Sequence, residues 1–300
     1  MRQAENRVRI EGILSEVDIS TITFNRGGET LEALSGKILV KNTQVVNGEK
    51  KDLFTPVHVF QPKYTKNGTP NPAYESINNV VTEMKSIAFT GNENEADKVR
   101  ITSGNIGENA YFSRDGRLIS YPRITASFIN KVRADESRSE GSFIIEFYVC
   151  GKEDELDREG MPTGRLKIKG AIPQYGNRVD IVDFICESQS VIDAVSSYWE
   201  IGDTVKASGR LNFTSSTETV LEEQGFGEPI ERIRTYNRSE LIITGGSQDP
   251  IDNGYTREEI AEGISERKAR LEAQKEKNMA KAKQRVAPPK ATNGFDNLGF

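Results

Sequence analysis

Tyr198-Trp199-Glu200-Ile201-Gly202-Asp203-Thr204-Val205-Lys206-Ala207-Ser208-Gly209-Arg210-Leu211-Asn212-Phe213 joins an apolar, helix-patterned run to a strand. The aromatic pair closes the run, Gly202-Asp203 reverses the chain, and Val205, Ala207, Leu211 and Phe213 then alternate as strand residues do. Glycine weakens a strand unless a bulge or bend is wanted, so Gly209 predicts a strand that bends there. Small closed barrels turn their corners in this way.

This passage resembles the helix-to-fourth-strand segment of the OB-folds in single-stranded DNA-binding proteins. The flanking sequence agrees with what that resemblance implies. Residues 6–18 read as a long strand whose alternation shifts at Gly12, and residues 34–42 and 53–60 read as two further strands joined by the Asn47-Gly48 turn. A helical pattern over 73–87 leads to Asp97-Lys98-Val99-Arg100-Ile101-Thr102-Ser103-Gly104. That segment echoes the opening one: both run from Asp through alternating apolar residues to Ser-Gly after a helix, with one residue more between Asp and Gly here. The echo predicts two copies of one fold.

The second copy is expected to begin near Tyr121 with a strand over 124–132. Residues 142–150 follow as a central strand, 151–164 as a charged loop, 165–169 and 179–186 as strands, 191–199 as the helix, and 230–244 as the last strand. The predicted fold class is mostly β: two tandem OB-fold-like five-stranded barrels, each with a helix before its fourth strand, plus a C-terminal helical or disordered tail. The domains would be 1–120, 121–246 and a tail over 247–300. Residues 256–284, rich in Ala, Glu, Lys and Arg, read as an exposed, lightly packed helix.

Composition narrows the function classes. The 300 residues carry a net charge of -5, one histidine and two cysteines. Cys150 and Cys186 have no ligand-spaced partner, so buried thiols are expected, with neither a disulfide nor a metal. His58 has no nucleophile near it in sequence, and no phosphate-binding or dinucleotide-binding glycine motif occurs. An enzyme and a cofactor are therefore not expected. No apolar run approaches the ~18 residues of a membrane span, and the N-terminus lacks an apolar signal segment. The expected location is the cytoplasm, that of a bacterial host cell if the resemblance holds.

Binding a single strand requires cations along a groove and aromatic faces for unpaired bases. OB-folds present these from their second and third strands. In the first copy the candidates are Lys37, Lys41, His58 and Phe60, with Tyr64 and Lys66 in the next loop. In the second they are Tyr148, Arg165, Lys167, Lys169, Tyr175 and Arg178, with Arg210, Arg232 and Arg234 nearby. Each has a plain alternative: the aromatics could be core, and alternating Lys and Arg could be a solvated strand face.

The end of the chain carries Phe295, Asp296, Leu298 and Phe300. Bacterial single-stranded DNA-binding proteins, and several phage ones, end in a flexible segment whose last residue is Phe and which recruits replication and repair partners. Phe300 matches that ending; the acidic tip of the family does not recur, since Asp296 is the one acid there and Lys281, Lys283, Arg285 and Lys290 precede it. Over residues 6–245 and the tail, the chain resembles a phage-type single-stranded DNA-binding protein. What this implies is sequence-tolerant protection of single-stranded DNA in phage replication, recombination or repair, with partners recruited by the tail. A protein-interaction module built on the same barrels, and an RNA-binding factor, fit the same pattern.

Overall fold

Val8, Ile10 and Leu14 alternate with polar neighbours, and in the computed structural model they lie on one 21-residue strand, β1 (Asn6–Arg26). The structure describes residues 1–286 apart from 47, 114, 134, 158 and 223–229; side chains are described outside 46, 215–230, 232–237 and 280–286. β1 is followed by β2 (Glu29–Val46), β3 (Glu49–Pro62), α1 (Pro72–Glu83), α2 (Ile87–Thr90), β4 (Lys98–Phe112), β5 (Leu118–Thr125) and β6 (Asn130–Val132). Then come β7 (Glu140–Leu156), β8 (Pro162–Pro173), β9 (Val179–Cys186), α3 (Gln189–Tyr198), β10 (Thr204–Glu222), β11 (Ile230–Gly246) and α4 (Arg257–Val286).

The strands close two barrels of identical topology. In the first, β1 pairs with β2, β2 with β3, β3 in parallel with β5, β5 with β4, and β4 with β1. In the second, β7, β8, β9, β11 and β10 repeat that circuit, again with one parallel pair, β9 to β11. Each parallel pair needs a crossover, and the segment between third and fourth strands supplies it with a helix. α1 begins where Asn71 accepts a hydrogen bond from the Ala73 amide and Pro72 enters the first turn, and it buries Ile77 and Val80. α3 ends at Trp199, whose buried indole donates to the Ser247 carbonyl at 2.7 Å.

The one-residue difference between the two Asp-to-Gly segments has a structural cause. Gly104 stands opposite Val8 and Ile101 opposite Ile10, so β4 spends three residues where β1 spends two. In the second barrel Gly209 stands opposite Phe143 and Ala207 opposite Ile145, with no extra residue. The additional residue is thus absorbed as a bulge in β4. Gly209 itself sits at the register shift between β10 and β11. A Cβ there would lie 2.1 Å from the Ile242 carbonyl oxygen and 2.4 Å from Phe143 Cζ.

The barrels meet through their first strands. Asn6 to Glu11 of β1 pair antiparallel with Ile145 to Glu140 of β7, and Val8 lies opposite Phe143. These two residues hold equivalent places in their own barrels, each facing its Ser-Gly glycine, so the junction is an approximate twofold. The eleven strands of the described residues form one continuous sheet, and the buried side chains of both barrels form one apolar cluster. Phe147 stacks on Phe184 at 4.5 Å within it, with Trp199 edge-on at 5.8 Å.

Several expectations need correction. Residues 124–132 do not start the second barrel: Ile124 and Thr125 end β5, which pairs with β3 and β4, so the first barrel's pairing runs past 120 to Val132. The segment 151–164 is less a loop than a hairpin, because β7 continues to Leu156 and β8 starts at Pro162. The helical pattern over 73–87 breaks after Glu83 and resumes at Ile87. α4 is largely exposed, as expected, and is anchored by buried Ile260 and Leu271 where it lies against β4 of one barrel and β8 and β9 of the other. Its Arg267 pairs with the nearly buried Glu108, and its Lys275 ammonium sits 4.7 Å from the Phe112 ring centre. Asn47 lies outside the described residues.

Gly209→Ala should cost about 1–3 kcal/mol in urea unfolding, since backbone and a fully packed ring would both have to move. Gly245→Ala, whose Cβ would meet the Ser208 hydroxyl at 3.3 Å, should cost far less. Equal losses would show that crowding at Gly209 does not set the corner.

Candidate nucleic-acid interface

Directly opposed residues in a β-ladder point to the same side of the sheet. Register therefore assembles a face on the first barrel. Asp18, Lys37 and His58 form one row; Ser20, Ser35 and Phe60 the next; Phe24 and Leu31, then Arg26 and Glu29, continue it to the β1–β2 hairpin. The other side of β2 and β3 carries Ile38, Val40, Val57 and Val59, all in the core. Lys37 is exposed and makes no hydrogen bond or ion pair with another described residue. Phe60 is 46% exposed and meets Phe24 edge-on at 5.3 Å, and the Arg26 guanidinium lies 5.3 Å from the Phe24 ring centre. The chain leaving β3 adds exposed Tyr64 and Lys66, which with Arg26 border a groove of about 340 Å³.

His58 is half-buried in this face. Burial is the chief cause that pulls its pKa down to about 4, with Arg123 and Lys37 adding repulsion. Lys41, four residues further along β2, is committed elsewhere. It sits 2.6 Å from Glu93 and 2.9 Å from Asp52, which hold its pKa above the ordinary lysine value.

On the second barrel, Lys167 lies between Glu153 and Ile185, and Lys169 between Gly151 and Asp183. Arg165, Lys167 and Lys169 alternate along one side of β8, but their surroundings differ. Lys169 is exposed and unpaired among the described residues; Lys167 makes a partly exposed pair with Glu153 at 2.7 Å. Arg165 is enclosed by Glu155, Glu187 and Glu240 and is unavailable to a ligand without breaking that network. Arg210 is bound to Glu187 at 2.5 Å. Lys167 and Lys169 border a groove of about 480 Å³ whose far wall is Ser120, Tyr121 and Pro122 of β5. At the β8–β9 turn Tyr175 is 79% exposed, beside exposed Arg178.

Tyr148 is corrected from candidate ligand contact to core. It is 8% exposed, between Ala171 and Thr204 in the ladder, because both edges of β7 are paired at that point. The side chains of Arg232 and Arg234, and the whole of Phe295, Asp296, Leu298 and Phe300, lie outside the described residues.

The sequence reading passed over Phe24 and Arg26, although Ile22, Phe24 and Arg26 alternate up to the Gly27-Gly28 turn, a signal that β1 continues. It also missed the β4–β5 hairpin, where Tyr111 and Tyr121 meet edge-on at 6.4 Å. Among the described residues no cluster of His, Cys, Asp or Glu could hold a metal ion, and no helix is long and apolar enough to cross a membrane. Cys186 is buried, which pushes its pKa up to about 12, and Cys150 is partly buried; neither forms a disulfide.

A model of the family described as YorF matches residues 4–277. No curated protein matches the chain in sequence. Among solved structures, the wild-type single-stranded DNA binding protein from Thermus aquaticus superposes with a TM-score of 0.50 at 12% identity, covering 85% of this chain and 97% of that one. A deletion mutant of that protein gives a TM-score of 0.47 at 12% identity, covering 86% and 100%. At such identity the first likeness is one of fold.

The depressed pKa of His58 has a definite sign in stability. Between about pH 6.5, where an unfolded histidine takes up its proton, and about pH 4, the unfolded state binds more protons. The stability contribution is complete above about pH 6.5 and is lost as pH falls toward 4. His58→Gln should flatten that part of the stability profile, and the imidazole NMR shifts of the folded protein should stay constant from pH 8 to 5. A midpoint near 6.5 in the folded protein would refute the burial argument.

Proposed function

We propose that this chain, which belongs to the YorF family, binds single-stranded DNA with little sequence preference along the outer faces of its two barrels. The observation that carries the reading is the face on β1, β2 and β3, where Phe60 and Phe24 lie on the same side of the sheet as Lys37 and Arg26. Stacking on an aromatic face is tolerant of base identity, and cations beside it serve the phosphates. The first barrel contributes Lys37, Phe60, Tyr64 and Lys66. The second contributes Lys169, Tyr175 and Arg178, with Lys167 recruited if it exchanges Glu153 for phosphate. A solved structure sharing this fold is that of a protein named for single-stranded DNA binding, which supports the choice of ligand.

The two domains divide, on this reading, between β6 and β7, and two linked sites raise affinity through effective concentration. The role is non-catalytic: protection of exposed strands in the replication or recombination of a phage within its host's cytoplasm. Phe295, Asp296, Leu298 and Phe300 would dock replication or recombination proteins.

The test is fluorescence anisotropy of labelled oligo-dT against duplex of equal length, at two salt concentrations. Binding confined to the single strand and weakened by salt is expected. Phe60→Ala should weaken it by about 1–3 kcal/mol, and Lys37→Gln should make the log–log salt slope shallower by about 0.7. Lys41→Gln should lower stability and leave the slope unchanged. No binding to oligo-dT at low salt would leave the barrels as a protein-interaction scaffold, and a strong preference for oligo-U would turn the reading to RNA.

A further inference from the structure

Most arginines near the junction of the barrels are spent on carboxylates: Arg2 on Glu146, Arg165 on three glutamates, Arg210 on Glu187, Arg267 on Glu108. Three are not. Arg123 of β5, Arg178 at the β8–β9 turn and Arg270 of α4 make no side-chain hydrogen bond or ion pair with another described residue. All three line one groove of about 670 Å³ between the barrels, within the range of small-ligand sites. Arg123 Nε is out of contact with water and has no hydrogen-bond partner, so part of the guanidinium is already desolvated without a counter-charge. Three elements from two barrels and the C-terminal helix thus converge unpaired cations on one cavity.

The acidic residues there cancel only part of this charge. Glu108 is neutralised by Arg267. Asp180 accepts from the Glu108 amide at 3.2 Å; burial chiefly raises its pKa above the ordinary carboxylate value, while Arg270 and Arg267 act on it in the opposite direction, so it offsets one of the three arginines at most. The ends of the groove are placed as well. Thr125 pairs with His58, and Arg123 acts on His58, so one end abuts the Lys37–His58 row of the first face. The other end is the turn that carries Tyr175 and Arg178.

We infer that this groove is a bridging subsite that holds the phosphodiester backbone of nucleotides passing from one barrel's face to the other, gripped by Arg123, Arg178 and Arg270. This rests on the single-strand reading above. Arginine suits the role because its planar fork takes two phosphate oxygens at once. A strand long enough to cross engages all three; a strand confined to one face does not.

The experiment compares the full chain with the Arg123→Gln/Arg270→Gln double variant on oligo-dT of about 8 and about 30 nucleotides, since one OB-fold occupies roughly 4–16. The long oligonucleotide should bind the variant about tenfold or more weakly, with the salt slope shallower by about 1.4 for two lost phosphate contacts. The short one should bind both proteins alike, which also shows that the variant is folded. Unchanged binding of the long oligonucleotide, or equal losses on both lengths, overturns the bridge while leaving single-strand binding intact. Failure of the unmodified chain to bind either length removes the underlying reading instead. A melting-temperature rise with sodium pyrophosphate, lost in the variant and unaccompanied by any length effect, would mark a small-anion site and overturn the bridge.

Discussion

An OB barrel's first strand is shared between two halves of the sheet, and that leaves part of one edge without a partner. β1 gives residues 8–13 to β4 and residues 13–26 to β2, so on the β2 side its first half has exposed amides and carbonyls. β7 has the same deficit. The two satisfy each other over six residue pairs, and the rest of the architecture follows from that contact. Unpaired edges are costly when buried and hazardous when exposed. Joining them fuses two barrels into one sheet and fixes the groove between them, across which α4 then lies.

The two-barrel plan was legible because its signals are local. Alternation, the Gly209 bend and the helix before each fourth strand depend on neighbours in sequence, and the Asp-to-Ser-Gly echo survived a bulge that offset it by one residue. The β4–β5 hairpin was not legible. Its arms from Gly107 to Tyr121 stand largely clear of the core, so they carry no one-sided apolar pattern to mark them as strands. Tyr121 therefore read as a beginning when it belongs to an end.

The candidate site was legible in kind and only partly in detail. A strand pattern says which side chains share a side, and Arg165, Lys167 and Lys169 do share one. It does not say which carboxylates another strand brings to that side. Glu240 reaches Arg165 from 75 residues away, and Glu93 reaches Lys41 from 52. Whether a cation is free for a phosphate is decided by such long-range pairing, as is the burial that removed Tyr148 from the candidate set.

The approximate twofold at Val8 and Phe143 bears on how a directional polymer could use both faces. A nucleic-acid strand has distinct 5′ and 3′ ends, and a twofold reverses direction. A strand that followed the symmetry from one barrel to the other would meet the second face with opposite polarity. Two chemically identical faces would then be mismatched to it, whichever way it ran. The faces are in fact unlike: His58, opposite Lys37 on the first, corresponds to Ile185, opposite Lys167 on the second. Shared backbone symmetry with divergent side chains is what a scaffold doubled by its first strands would need in order to bind a polymer that has a direction.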